Sequence, residues 1–152
     1  MLKKYIKPFY HRQASQIFQI VRAAAAVNGQ RKKRNKEQTI LRLLTLALTD
    51  EEDKDYVFKA EVKPLQKEKL VFKCCEMADR LKSRCAGLLE VSGDPSNPLD
   101  LKINYLHRTA QDFLHAPKIW DTTLKDSGAE FEPNECLVKS YILEIKLVVV
   151  SE

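Results

Sequence analysis

Glycine and proline are scarce: the 152 residues include only 4 Gly and 6 Pro. Tight turns are therefore few, which argues against a sandwich or barrel of many short strands. None of the glycines (Gly29, Gly87, Gly93, Gly128) is followed five residues on by Gly-Lys, so the chain carries no phosphate-cradling loop of its own. No apolar run approaches the roughly 20 residues that a membrane-spanning helix needs. A secretory signal is not evident either, because the first ten residues mix lysines with apolar residues and have no continuous apolar core.

Acidic residues are missing from the start of the chain, and the first is Glu37. The acid-free start resembles a mitochondrial transit peptide only faintly, having a single Ser (Ser15), few Arg and a helix too apolar to discard. Residues 1–50 hold 11 basic against 2 acidic residues, a net of +9, whereas residues 51–152 carry a net of −4, giving +5 in all. Such a basic half can face nucleic acid, an anionic membrane or an acidic partner, or can be a solvated face. The four cysteines, Cys74, Cys75, Cys85 and Cys136, form neither a disulfide framework nor a zinc half-site with its gap of two to four residues. Free thiols in a reducing, cytoplasmic setting are the expectation. What remains is ordinary globular material, 44% hydrophobic and 31% charged, long enough for one domain.

Between residues 12 and 27, Ala14, Ile17, Phe18, Val21, Ala24 and Ala25 follow helical spacing, with Arg12, Gln13, Gln16, Gln19 and Arg22 on the other side. The basic stretch Arg31, Lys32, Lys33, Arg34 and Lys36 follows as a connector. A second helix over residues 40–48, apolar nearly all round, belongs in the core. The acidic run Asp50, Glu51, Glu52 and Asp53 marks its exit. A third helix over 66–84 aligns Leu70, Cys74, Met77, Ala78, Leu81 and Cys85. Residues 88–91 and 101–106 read as strands joined by a loop of Gly93, Pro95, Asn97 and Pro98, hence a hairpin. A short helix starts near Thr109, where Thr109 and Asp112 have capping-box spacing, and Pro117 ends it. A last helix spans about 134–148.

Three helices, a two-stranded hairpin and further helices are the order of a winged-helix domain. The expected fold is mainly α and winged-helix-like, with a three-helix core, a two-stranded wing and further C-terminal helices. The expected organisation is an N-terminal extension (1–11), the winged-helix-like domain (12–116) and a C-terminal helical extension (117–152).

The chain's most informative feature lies at the exit of the second wing strand, in Tyr105-Leu106-His107-Arg108-Thr109-Ala110-Gln111-Asp112-Phe113-Leu114. A strand ending in His and followed at once by a helix start sets an imidazole beside backbone N–H groups that favour an anion. The alternative is a hydrogen-bonded structural histidine.

Four blocks together resemble a known family. They are His11-Arg12-Gln13-Ala14-Ser15-Gln16-Ile17-Phe18, the stretch from Leu43 to Asp53, Arg80-Leu81-Lys82-Ser83-Arg84-Cys85-Ala86-Gly87-Leu88-Leu89-Glu90-Val91, and the block around His107, with Trp120 beyond. They resemble the segment after the nucleotide-binding core in fungal NACHT proteins, signal-transducing NTPases of the NOD-like, STAND type. Residues 30–38 depart from that pattern. The resemblance implies a regulatory, non-catalytic module that folds back on a NACHT-type NTPase domain, in cis or in trans, and holds it closed around ADP until ATP replaces it. It implies nucleotide sensing by His107 at the wing exit, with the Thr109 helix start beside it. The family's P-loop, magnesium-binding acid and sensor arginine are absent here, so ADP or ATP is expected only in the context of the NTPase domain, and this chain alone binds no cofactor.

Other chemistries have less to stand on. Winged helices also bind nucleic acid, and the connector Arg31, Lys32, Lys33, Arg34 and Lys36 is the candidate contact. On the third helix, however, Glu68, Glu76 and Asp79 interleave with the basic residues. Cys85 adjoins Arg84, a setting that can activate a thiol, yet it lies on the apolar stripe, and neither His11 nor His115 has a sequence reason to meet it. No catalytic or metal-binding residues and no membrane partner are expected.

Overall fold

The computed structural model describes residues 6–29, 41–50 and 55–148. After a 3-10 turn at Pro8–Tyr10, helix α1 spans His11–Gly29. Its predicted stripe is buried except for Ala25, which is half-buried, with Phe18 and Ala14 at 1% exposure and Val21 at 0%. Upstream, Ile6 is buried and its carbonyl meets His11 Nε2 at 2.7 Å, so the described end of the N-terminal extension lies on the core.

Residues 41–42 were expected inside the second helix, but Leu41–Arg42 is a short strand, β1, and helix α2 covers only Leu43–Leu48. The backbone is drawn straight by its partner strand: Leu41 pairs with Ile103 and Arg42 with Lys102, and Leu43 N–H donates to the Leu101 carbonyl at 2.8 Å. Every residue of α2 is buried, as an all-round apolar helix should be. A single turn, α3, follows at Tyr56–Lys59, and the long helix α4 at Lys67–Arg84 buries Leu70, Cys74, Met77 and Leu81.

Helix α4 stops where the backbone turns left-handed, at Ala86 (φ 52°) and Gly87 (φ 72°), and Leu88 N–H closes the turn on the Cys85 carbonyl. Gly87 accepts this conformation without strain, whereas Ala86 does so against its Cβ. The wing follows: β2 at Leu89–Ser92 pairs antiparallel with β3 at Lys102–Tyr105, Val91 opposite Ile103 and Leu89 opposite Tyr105. With β1 the sheet has three strands in the order β1-β3-β2. The fold is thus mainly α and winged-helix-like, as expected, with one more strand than the hairpin.

Helix α5 spans Arg108–His115. Pro117 does end it, but the same proline is the first residue of a further helix, α6 at Pro117–Asp126, which periodicity did not reveal. Proline suits that position because its missing N–H would have had no partner there. Helix α6 lies against the face of α1 that looked solvent-directed. Gln16 Nε2 donates to the Ser127 carbonyl at 3.1 Å and Gln19 Nε2 to the Thr123 carbonyl at 3.3 Å, and Gln19 is only 5% exposed. These amides satisfy carbonyls that the end of a helix leaves without partners.

The last helix, α7 at Pro133–Leu147, matches the expected span to within a residue, its Asn134 amide capped by the Glu132 side chain. It supplies Leu137, Leu143 and Leu147 to the same hydrophobic cluster as α1, α2 and α4. It also satisfies α2: Ser140 Oγ donates to the Thr45 carbonyl at 2.6 Å, and Glu144 accepts from Thr45 Oγ1 at 2.8 Å and from Arg42 at 2.7 Å. The core runs on past residue 116 into the helices that follow.

Candidate functional site

Strand β3 and helix α5 meet at His107. The strand is fixed by Ile103 (0% exposed) and Tyr105 (9%), and Leu106 N–H donates to the Leu88 carbonyl at 3.0 Å. The helix is fixed by buried Ala110 and Leu114. Between these anchors Leu106, His107, Arg108 and Thr109 are all exposed.

The helix cap is His107, and this corrects the expectation that Thr109 caps with Asp112. His107 is extended (φ −155°, ψ 159°), and its Nδ1 accepts the Thr109 amide at 3.2 Å, while Thr109 Oγ1 lies 3.0 Å from the same nitrogen. Thr109 is the second helical residue, so its amide is the natural target of a cap two residues earlier. An Nδ1 that accepts from an amide carries no proton, so the neutral ring holds its hydrogen on Nε2. That N–H belongs to an exposed residue. The amides around it are not a free anion cradle, since Ala110 and Gln111 both donate to the His107 carbonyl. The donor that this point offers is therefore the imidazole N–H, with the exposed Arg108 next to it in the chain.

Behind the cap lies a cluster of rings that sequence reading did not assemble. Tyr105 Oη and His115 Nε2 are 3.1 Å apart, His115 meets Trp120 edge-on at 5.8 Å, and the Arg22 guanidinium lies 4.2 Å from the centre of the Trp120 ring. Burial pushes the Tyr105 hydroxyl up to about 12. Burial, and then the charge of Arg22, lower His115 below its ordinary 6.5, with Asp112 opposing. A histidine that binds its proton less readily when folded makes the unfolded chain the better proton acceptor, so stability rises with pH across this window. The contribution of His115 is complete above pH 6.5 and is lost as the pH falls through the lowered folded value. Urea titrations at a series of pH values should show that His115→Gln flattens this slope; an unchanged slope would assign it to other groups.

The connector residues Arg31, Lys32, Lys33, Arg34 and Lys36 lie outside the described residues. On α4 the outward face is mixed: Lys69, Lys82, Glu68, Glu76 and Asp79 are all exposed, and Phe72 stands 64% exposed among them. That is no unbroken basic stripe for a phosphate backbone. Burial outweighs the pull of Arg84 and pushes the Cys85 thiol up to about 12, while Cys74 rises to about 11, so neither is an activated nucleophile. Among the described residues no three His, Cys, Asp or Glu side chains gather in a way that could hold a metal ion. No described helix is long and apolar enough to cross a membrane.

Comparison with curated proteins and with solved structures gives no match. Residues 5–152, nearly the whole chain, match a family described as a domain of unknown function, DUF7791, and the protein belongs to that family.

Proposed function

We propose that this chain is a non-catalytic regulatory module of a fungal NACHT-type signalling protein, cytoplasmic in setting, which packs on an NTPase core and favours its ADP-bound state. The observation that carries the reading is the exposed His107 at the wing exit, whose Nδ1 accepts the Thr109 amide and so leaves Nε2 as the ring's N–H donor. The sequence resemblance across the same block supports it. In this reading His107 donates to a phosphate oxygen of ADP held by the core, and Thr109 serves by fixing the ring through its amide and hydroxyl. The contact acts as a lock only through its difference between the two nucleotide states.

The test is capture of a NACHT-type core by the full chain in the presence of ADP and then of ATP. Recovery should be greater with ADP, and His107→Ala should weaken that complex alone, by about tenfold for one hydrogen bond to a charged group. Thr109→Val, which removes the hydroxyl from the ring but keeps the backbone amide that Nδ1 accepts from, should weaken it less. Equal recovery in both nucleotides overturns the proposal.

A further inference from the structure

Away from the wing exit, a polar pocket of about 380 Å³ opens between the first turn of α1, the end of α2 and the outer half of α4. Gln13, Asp50, Lys73, Glu76, Arg80 and Arg84 line it. Three cations thus face two carboxylates. Asp50 is already committed to Arg80 in an ion pair. Arg84 lies over the Tyr10 ring, 4.9 Å from its centre, and its Nε is buried with no hydrogen-bond partner. Among the described residues Lys73 makes no ion pair either.

A buried guanidinium donor without an acceptor costs stability, and natural structures seldom leave one so unless something else satisfies it. Here the cost is compounded, because Arg80 and Arg84 stand one helical turn apart. Burial and the neighbouring Arg84 charge both lower the pKa of Arg80. An anion in the pocket would relieve that repulsion. Guanidinium forks suit the oxygens of a phosphate, and a side-chain amide such as that of Gln13 adds a neutral donor. The walls are polar, so an apolar ligand would gain little.

We propose that this pocket binds a phosphate-sized dianion, held by Arg84 and Arg80 with Lys73 and Gln13 at its edge. The ligand is free phosphate or the phosphate end of a small nucleotide. The site shares no residue with the His107 contact, and its occupancy is independent of any NTPase partner.

The test is an NMR titration of the full chain with inorganic phosphate, pyrophosphate, ADP and adenosine in chloride buffer. Saturable shifts at the Gln13, Lys73 and Arg84 amides are expected with phosphate in the millimolar range or below. Arg84→Gln should weaken binding by about tenfold or more. Because Arg84 also packs on Tyr10, Lys73→Gln serves as the second variant; it should weaken binding severalfold without unfolding the chain. Equal affinity for phosphate and ADP identifies free phosphate as the ligand; tighter binding of ADP, with adenosine silent, identifies the nucleotide's phosphate end. Absence of saturable phosphate binding, binding that both variants leave unchanged, or adenosine binding as well as ADP overturns the proposal.

Discussion

A chain stopped at Ala116 is expected to lose cooperative unfolding, although it keeps the three helices and the wing. The helices beyond that point supply Leu137, Leu143 and Leu147, all 5% exposed or less. Burying three leucines contributes about 5–9 kcal/mol as an upper bound, against a typical total stability of roughly 5–15 kcal/mol. Truncation also removes the acceptors of Gln16 and Gln19 on α1 and the partners of Thr45 on α2. Gln19 and Thr45 are buried and cannot simply turn to water. Urea unfolding followed by circular dichroism compares the shortened and full chains. The shortened chain should show a broad, shallow change, and a sharp single transition would show that residues 1–116 are self-sufficient.

The same packing explains what could be read from the sequence. Helical periodicity placed α1 and α4, because each buries one face against a common core and the apolar residues record that face. Helix α2 was legible as a run apolar all round, and α7 as a mostly apolar stretch, although Tyr141 and Ile145 on it are exposed. Alternation placed β3. Strand β1 left no record: Leu41 and Arg42 are two residues beside a run of leucines, and only pairing with β3 draws them out of the helix. Helix α6 was hidden twice, by a proline that reads equally as a stop and a start, and by a mating face on α1 made of glutamines and arginine. Those side chains look solvent-directed in a binary pattern, yet they meet helix-end carbonyls and a tryptophan face.

The candidate site was legible in position but not in detail. A strand ending in His before a helix start located His107 correctly. Thr109 looked like the cap because Thr is a far commoner cap than His; the extended backbone of His107 and the reach of its Nδ1 decided otherwise. The polar pocket had no signal at all. Gln13 lies on α1, Asp50 just past α2 and Arg84 on α4, and Lys73, Arg80 and Arg84 taken alone on α4 look like an ordinary solvated face.

Phe18→Ala should cost about 3–5 kcal/mol, the range for removing a large buried aromatic side chain. Phe18 is 1% exposed in the middle of α1, within a cluster that also draws on α2, α4 and α7, so no single helix can move in to close the space. Interiors of this kind relax only in part, and the cavity adds to the lost transfer free energy. Alanine has the higher helix propensity, which offsets the loss by a few tenths of a kcal/mol at most. Urea titration should show the midpoint falling with the slope unchanged, as befits a native state that is weaker but no less compact. Phe18→Leu, which refills much of the space, should fall between the variant and the parent. If alanine and leucine cost the same, the ring is not a packing element. If neither costs more than about 1 kcal/mol, within the range of surface changes and mild core swaps, α1 is not the centre of this core.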